Sequence, residues 1–307
     1  MIRVGIVGAG PMGRLHASVV TRLGKRDARF ELTCIHDHHE GRAEGVAADF
    51  EARAADSLGE LVAEVDAAII AVPTAAHHAV AKDLLAGGID LMIEKPLTRD
   101  VREARLLEES SVSHGRIVQV GHVEWYNPAW RVAAAEVGEL RRIEVDRVQP
   151  ASARGRDVDV IQDLMLHDLD WTTRFIGSPV IRIEAQAVRP PGASEEDAFD
   201  HVEAKLSFES GCEVLLLADR RADERRREAR FHGSHGTTST PLDLVFDPEM
   251  DAKQDRVDPL ERQWLDFIRS VETRSTPENH VGVGRRALEW VERVREAASG
   301  QDPDLGG

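Results

Sequence analysis

The chain has 307 residues, of which 42% are hydrophobic and 31% charged, a composition typical of a folded globular protein long enough for two domains. Its formal net charge of −16 argues against nucleic acid or an anionic membrane surface as the main partner, although a phosphorylated small molecule is not excluded. Cys34 and Cys212 form no disulfide framework or metal-binding pattern, and the sequence shows no export signal or membrane-spanning apolar run, so we expect a cytoplasmic protein.

Short apolar runs alternate with helical stretches from residue 2 to about residue 120. Met12–Arg22 and Asp100–Ser110 show helical spacing between the apolar runs. Strand–helix alternation of this kind predicts a parallel sheet with helices on both faces. The predicted strands are Ile2–Val7, Glu31–His36, Ala67–Val72, Ile89–Ile93 and Ile117–Val120.

Three glycines follow the first predicted strand. Gly8, Gly10 and Gly13 form the pattern G-x-G-x-x-G between a strand and a helix, which is the context that gives this pattern its meaning. The first glycine permits a tight turn, the second lets a pyrophosphate approach the backbone, and the third lets the helix pack on the strand. The helix N-terminus then offers backbone N–H groups to the phosphates, so the stretch predicts a dinucleotide-binding site.

Asp37 closes the second predicted strand, where an acidic side chain binds the ribose hydroxyls of the adenosine and repels a 2′-phosphate. This position predicts a preference for NAD over NADP. The alternative is that Asp37 only begins a turn. The histidine pairs at 38–39 and 77–78 are adjacent residues, which point to opposite faces of an extended chain, so we expect no metal site there.

The pattern changes after the stretch "GHVEWYNPAW" (Gly121–Trp130). Strand-like runs now follow one another without intervening helices, which indicates a largely antiparallel sheet. Arg189–Phe199, rich in turn formers and acids, is the clearest loop. The predicted elements are strands at Ile181–Val188, Val202–Ser207 and Glu213–Leu217, two further strands before Asp247, and helices at Pro259–Val271 and Val283–Ala298.

The stretch "DLMLHDLDW" (Asp163–Trp171) places four ionisable residues among large apolar ones. Interpreted as an α-helix, it puts Asp163, His167 and Asp170 on one narrow stripe, with apolar residues almost everywhere else. A buried helix must direct such a stripe toward a partner, a metal or a wet cleft. The alternative is a surface helix with an i,i+4 Asp–His pair. Asp168 points away from the stripe, and we expect it to pair with an arginine.

Four motifs in order, "GAGPMGRLH" (Gly8–His16), "VPTAAHH" (Val72–His78), "EKPLT" (Glu94–Thr98) and "DLMLHDLDW", resemble those of the family of glucose–fructose oxidoreductase, inositol dehydrogenase and the rhizopine-catabolism protein (Gfo/Idh/MocA). The resemblance implies an α/β fold with two domains. The first is a Rossmann domain with a doubly wound parallel sheet, expected at residues 1–121. The second is an α/β domain with a large, mostly antiparallel open sheet, expected at residues 122–307 and used to form a homodimer or homotetramer. The helix at about 283–298 can pack back on the first domain.

The resemblance also implies the site residues. Lys95, Asp163 and His167 would be catalytic, and the second-domain pair matches the D-x-x-x-H motif of the family. Asp170 would be a partner behind this pair. The substrate-binding residues would be these three together with Trp125, Tyr126 and Asn127. The cofactor-binding residues would be Gly8, Gly10, Pro11, Met12, Gly13, Asp37, Pro73, Thr74, His77, Glu94 and Lys95, and no metal is expected.

Two stretches, "GHVEWYNPAW" and "DVDVIQDLMLHDLDW" (Asp157–Trp171), resemble a narrower branch of the family, the UDP-N-acetylglucosamine 3-dehydrogenases. That branch usually has an arginine where this chain has Trp125. The resemblance implies an NAD-dependent oxidoreductase that acts on a ring hydroxyl of a nucleotide-linked sugar. The alternatives are an inositol, free-sugar or trans-diol dehydrogenase, and a non-catalytic NAD-binding sensor or regulatory protein, against which the retained catalytic set argues.

Oxidation of an alcohol requires a base for the hydroxyl proton while a hydride leaves the carbon. His167 suits the role of base, Asp163 can orient its imidazole, and Lys95 can donate to the developing alkoxide. The mixed-sign run Arg220–Arg230 could suggest a diphosphate clamp, but such runs are typical of solvated faces or subunit contacts, and we interpret it in that way.

Overall fold

The computed structural model describes residues 1–39, 41–150, 159–190, 198–242, 258–303 and 305. The chain divides into two compact units, Met1–Val123 with Lys253–Arg285, and Glu124–Ala252 with Arg286–Gly307. Residues 258–285 therefore belong to the first unit, whereas the prediction places all residues from 122 to 307 in the second domain. Most of the predicted loop Arg189–Phe199, at 191–197, lies outside the described residues, as does the beginning of the stretch from Asp157.

The first unit contains a six-stranded parallel sheet with the order β3-β2-β1-β4-β5-β6. This is the doubly wound strand order: β2 and β3 follow on one side of β1, and β4, β5 and β6 follow on its other side. The change of side between β1 and β4 leaves a crevice at the carboxyl ends of these strands. The predicted strands are all confirmed to within two residues, and the short β3 was not predicted. The strands are β1 (Ile2–Val7), β2 (Phe30–His36), β3 (Arg53–Ala54), β4 (Ala67–Ile70), β5 (Asp90–Ile93) and β6 (Val118–Val120).

Helices connect these strands and cover the sheet. Apolar side chains of the sheet and helices form one buried core that includes Trp264 and Phe267 of the late helix α8, which explains why that helix belongs to this unit. Its amphipathic pattern predicted a helix with one apolar face but did not identify the sheet on which the face packs. The helices of this unit are α1 (Pro11–Gly24), α2 (Arg42–Asp49), α3 (Leu58–Glu64), α4 (Thr74–Ala86), α5 (Val101–Ser113) and α8 (Pro259–Thr273).

The second unit contains a six-stranded mixed sheet with the order β12-β11-β7-β10-β9-β8. Its pairs are antiparallel except for β7 and β10, which run parallel. The three named strand predictions and the two expected before Asp247 are confirmed, whereas β7 was missed. The strands are β7 (Leu140–Val148), β8 (Val180–Val188), β9 (His201–Phe208), β10 (Glu213–Asp219), β11 (Arg226–Gly233) and β12 (Gly236–Pro241).

The second unit carries its helices beside this sheet. A 3₁₀ turn at Val123–Tyr126 leads into α6 (Pro128–Glu136), and α7 (Leu166–Ile176) follows a π-helical turn at Ile161–Met165. The uniform α-helix predicted from Asp163 is therefore wrong in its first turn. α9 (Val281–Ala298) begins in the first unit and continues into the second. No helix in the described ranges is long and apolar enough to cross a membrane.

Candidate active site

The predicted cofactor-binding residues of the first unit lie at the carboxyl ends of its parallel strands. Gly8 follows β1, Asp37 follows β2, Pro73 lies shortly after β4, and Glu94 with Lys95 follows β5. Because carboxyl ends of neighbouring parallel strands share one edge of the sheet, the fold brings these residues to the crevice where doubly wound sheets bind ligands.

The glycine-rich turn has the geometry that its sequence predicts. Gly8 has a φ of 101°, and a Cβ atom there would lie 2.6 Å from the carbonyl oxygen of Ala71. A Cβ atom at Gly13 would lie 1.8 Å from the carbonyl oxygen of Gly8, so only glycine lets α1 approach the turn. A Cβ atom at Gly10 would meet nothing within 4 Å, which leaves open space beside the backbone. No described side chain caps α1, so its first N–H groups can bind a pyrophosphate.

Asp37 stabilises this turn. Its carboxylate accepts hydrogen bonds from the backbone N–H of Ala9 (2.7 Å) and of His39 (2.8 Å), and its side chain is only 3% exposed. Burial acts to raise the pKa of Asp37, but these N–H groups and the nearby Arg42 guanidinium together hold it below its ordinary value. Arg42, which the sequence analysis overlooked, lies 3.6 Å from the carboxylate. Asp37 is therefore ionised near neutral pH and fixes the loop that faces the crevice.

Lys95 is held by a buried hydrogen-bonded chain. Glu94 accepts from the backbone N–H of Lys95 (3.1 Å) and from Nε2 of His16 (2.8 Å). Trp264 donates its indole N–H to Nδ1 of His16 at 3.0 Å, so Nδ1 carries no proton and Nε2 is the donor to Glu94. Burial raises the pKa of Glu94, yet the His16 hydrogen bond and the Lys95 charge keep it below its ordinary value. His16 and Trp264 were not predicted as site residues, although His16 lies inside a quoted motif.

His77 connects two of the loops at this edge. Its ring nitrogens each lie 2.9 Å from a carbonyl oxygen, that of Val72 and that of Pro96. Burial lowers the pKa of His77 more than the two carbonyl groups raise it. The imidazole is buried, so its side chain holds the loops of Pro73 and Lys95 together inside the protein. The predicted contacts of Pro73, Thr74 and His77 with the cofactor stay predictions.

Burial distinguishes the three predicted catalytic residues from their neighbours. In residues 89–98 Lys95 alone is not buried, and in residues 159–172 of the second unit Asp163 and His167 alone are not buried. The π-helical turn ends just before His167, and such turns are frequent at functional sites. Asp170 was predicted to lie on one stripe of the helix with Asp163 and His167. Unlike those two residues it is buried, and its carboxylate pairs with Arg174 at 3.2 Å.

A buried ion cluster anchors α7 to the sheet. Arg147 of β7 donates to both carboxylate oxygens of Asp168 at 2.7 Å and approaches Glu124 at 3.4 Å. The predicted pairing of Asp168 with an arginine is thus confirmed, and Trp171 donates to the same carboxylate at 3.1 Å. Burial lowers the pKa of Arg147, but the two carboxylates hold it above its ordinary value, whereas burial raises the pKa of Glu124. The cluster therefore fixes the residue next to His167.

The three predicted substrate-binding residues of the "EWYN" segment differ in their surroundings. Trp125 is half-buried, and the guanidinium groups of Arg131 and Arg174 lie 4.4 Å and 3.7 Å from its ring centroid. Tyr126 is buried. The Asn127 amide caps α6 by accepting from the Ala129 N–H (3.1 Å) and donates to Glu124 (2.7 Å), which gives it a structural role. Of these three residues Trp125 alone is not buried, and the predicted substrate contacts of all three stay predictions.

The described residues contain no group of three or more histidine, cysteine, aspartate or glutamate side chains that could hold a metal ion. The open Gly10 backbone, the uncapped α1 and the ionised Asp37 fit a dinucleotide.

Comparisons with known proteins agree with this architecture. Residues 2–122 match the family model described as "Oxidoreductase family, NAD-binding Rossmann fold", and residues 129–239 match the "GFO/IDH/MocA C-terminal domain". The UDP-N-acetylglucosamine 3-dehydrogenase of Acidithiobacillus ferrooxidans is 35% identical over 75% of this chain and 71% of its own length. The myo-inositol dehydrogenase Hyg17 of Streptomyces leeuwenhoekii is 30% identical over 71% of this chain and 69% of its own length.

Solved structures show the same fold over nearly the whole chain. A structure of the Acidithiobacillus ferrooxidans enzyme has a TM-score of 0.83 at 29% identity and covers 97% of this chain and 98% of its own. GenD2 from gentamicin A biosynthesis, solved in complex with NAD, has a TM-score of 0.82 at 20% identity and covers 97% of this chain and 94% of its own.

Proposed function

Because the chain belongs to the Gfo/Idh/MocA family of NAD-binding oxidoreductases, we propose that it is an NAD-dependent UDP-N-acetylglucosamine 3-dehydrogenase. The observation that carries the proposal is the partial exposure of Lys95, Asp163 and His167, each within a run of otherwise buried residues. A protein that only bound NAD would have no need to keep these three polar side chains partly exposed. The similarity to the Acidithiobacillus enzyme supports the nucleotide-sugar substrate.

Each catalytic side chain has a distinct task in this proposal. When bound, NAD supplies the acceptor for the hydride that leaves the carbinol carbon. His167 takes the hydroxyl proton, because imidazole is the side chain that ordinarily gains and loses a proton near neutral pH. Asp163 orients the imidazole and stabilises its charged form. Lys95 donates to the substrate oxygen as negative charge develops there, and Glu94 with His16 fixes the Lys95 backbone.

We expect NAD to give a higher kcat/KM than NADP, because the ionised Asp37 repels a 2′-phosphate and already engages Arg42. Asp37→Ala should lower kcat/KM for NAD, since the turn loses two hydrogen bonds, and should narrow the gap between the cofactors. Asp66→Ala is the matched control, because Asp66 is a partly exposed acid that pairs with Arg3 and lies before β4, away from the carboxyl ends of the strands. A higher kcat/KM for NADP in the parent enzyme would contradict the assignment.

A second candidate substrate is a cyclitol, free sugar or small trans-diol, which the similarity to Hyg17 favours. Steady-state reduction of NAD with a panel of UDP-sugars, inositols and free sugars separates the candidates. We expect turnover with UDP-N-acetylglucosamine and little with myo-inositol, because the remote nucleotide supplies binding energy that an inositol lacks. Turnover with inositol alone would transfer the assignment to that class. NAD binding without turnover on any substrate would favour the non-catalytic sensor.

We also propose that the chain forms a homodimer or homotetramer through the sheet of the second unit. The half-buried Leu215 and Leu217 line an open cavity with a volume of about 910 Å³ on this sheet. Charged side chains such as Glu144 and Arg230 line the same cavity. A mixed apolar and charged face suits a contact between subunits.

Cys34 and Cys212 are both buried and unpaired with each other, which supports the expected location in the reducing cytoplasm.

A further inference from the structure

An ion pair lies at the beginning of the helical segment that carries Asp163 and His167. The Nε–H of Arg295, in the last turn of α9, donates to Oδ2 of Asp159 at 2.6 Å. The side chain of Asp159 is only 7% exposed, whereas that of Arg295 is 38% exposed. Both residues belong to the second unit, and neither has a task in the mechanism described above.

Asp159 also caps this helical segment. Its Oδ1 accepts from the backbone N–H of Gln162 at 2.9 Å, and its carbonyl oxygen accepts from the N–H of Asp163 at 3.0 Å. The next residue, Val160, donates its N–H to the carbonyl oxygen of Phe199 at 3.0 Å. A capping carboxylate binds N–H groups that the start of a helix leaves without an intrahelical partner. One side chain therefore joins α9 to the first turn of the segment.

A second anchor lies on the other side of the predicted catalytic pair. Asp168 accepts two hydrogen bonds from Arg147 of β7. Asp159 and Asp168 are both buried, and Asp163 and His167 lie between them in the sequence. The segment that carries the pair is thus fixed to α9 at its beginning and to the sheet just after His167.

The two anchors enclose the π-helical turn at Ile161–Met165. The N–H of Leu166 donates to the carbonyl oxygen of Ile161, five residues earlier instead of the usual four. The turn therefore contains one residue more than an α-helical turn, which changes the direction of the Asp163 side chain relative to that of His167. If the first anchor is lost, the segment can shift toward α-helical hydrogen bonding and change that direction.

We propose that Arg295 and Asp159 are positioning residues for the catalytic pair, because their ion pair holds the π-helical turn and with it the placement of Asp163 relative to His167. The proposal rests on the proposed function, which it deepens by adding two residues that support the site. Arg295 acts through Asp159 and the backbone of the turn, not through contact with the substrate.

Steady-state kinetics of Arg295→Met with NAD and UDP-N-acetylglucosamine test the proposal. Methionine has no charge and no donor for Asp159. We expect kcat to fall roughly 10-fold, since misplacement of catalytic groups by about 1 Å can cost up to about 10²-fold. KM and the Kd for NAD should stay near the parent values, because the glycine-rich turn belongs to the first unit. Arg295→Lys should recover part of kcat, because it keeps the charge.

Arg293→Met is the matched control for this experiment. Arg293 and Arg295 are both half-buried on α9, but the guanidinium of Arg293 packs against Trp290 of the same helix, 4.6 Å from its ring centroid. Its loss should leave kcat near the parent value. A decrease in kcat equal to that of Arg295→Met would overturn the proposal.

Two further measurements distinguish positioning from a purely structural role. Arg295→Met should hardly lower kcat further in a His167→Ala background, because a residue that acts through the catalytic pair has no effect once the pair is broken. Amide hydrogen exchange needs no turnover. Exchange at the N–H groups of Gln162 and Asp163 should be faster in Arg295→Met and parent-like in Arg293→Met, because their acceptor Asp159 is held less firmly.

The outcomes separate this role from the proposed function. Parent-like kcat in Arg295→Met, parent-like exchange in it, or an equal fold decrease in kcat with and without His167 would each overturn the positioning role and leave the proposed function intact. If the parent turns over no substrate, the proposed function is refuted. Exchange then still tests the ion pair, since faster exchange supports its hold on the turn and unchanged exchange overturns it.

Discussion

Replacement of His167 by alanine is expected to lower kcat by roughly 10²–10⁴-fold, the usual contribution of a general acid–base group. His167 is half-buried in a run of buried residues, and Arg147 fixes the adjacent Asp168, so the helix holds the imidazole in a defined place. NAD affinity should hardly change, because the glycine-rich turn that we expect to bind the dinucleotide belongs to the first unit. Stopped-flow single-turnover rates and NAD titrations on the same preparation measure both quantities.

His201→Ala is the matched control for this experiment. His201 is another half-buried histidine of the second unit, and it pairs with Asp219 at 2.8 Å on the sheet. Its loss should leave kcat near the parent value. A folded His167→Ala protein with near-parent kcat would show that the histidine only contributes to packing.

The Asp163 substitution extends the same test. If Asp163 acts through His167, the decreases in kcat caused by the two substitutions should not add as free energies. Asp163→Asn should therefore lower kcat little further once His167 has been replaced by alanine. Additive losses would mean that Asp163 acts independently of His167.

Replacement of Arg147 by methionine is expected to lower the free energy of unfolding by about 3–5 kcal/mol, because Asp168 and Glu124 would remain buried without their shared cation. Burial already raises the pKa of Glu124, and loss of the Arg147 charge should raise it further above the unfolded value. The penalty is then largest above that raised pKa and decreases as the pH is lowered through it, because the folded state favours the protonated carboxyl group. Urea unfolding at pH 7.5 and at pH 5 measures the difference, which we expect to be smaller at the lower pH.

Arg142→Met on the same strand provides the control. Arg142 is 45% exposed and pairs with Glu213 at the surface, so its loss should cost about 1 kcal/mol or less. Arg147→Lys should recover part of the stability, because it keeps the charge but not the two-pronged hydrogen bond. Equal losses for Arg142→Met and Arg147→Met would contradict a stabilising role for the buried cluster.

Arg147 also shows where sequence reasoning failed. In β7 the side chains of Ile143, Val145 and Arg147 are all buried, so an arginine occupies a position at which the alternating pattern predicts an apolar residue. The strand was missed for this reason. The glycine-rich turn was predictable because steric limits at Gly8 and Gly13 restrict those positions to one residue type.

The other features that the sequence did not predict were missed for similar reasons. A 3.6-residue period assumes a regular α-helix, so it could not reveal the π-helical turn that precedes His167. Side-chain chemistry predicted Lys95, but the chain from Trp264 through His16 to Glu94 depends on residues 248 positions apart, a contact that no local pattern encodes.

The most direct test of the account follows hydrogen from substrate to cofactor. The enzyme is incubated with NAD and UDP-N-acetylglucosamine that carries deuterium at C3, and the reduced cofactor is examined by mass spectrometry. The account predicts that the reduced cofactor contains the deuterium, that the rate of its formation falls when His167 is replaced by alanine, and that unlabelled substrate gives unlabelled product. Reduced cofactor without deuterium would place the oxidation at another carbon, and no reduced cofactor at all would contradict the proposed dehydrogenase.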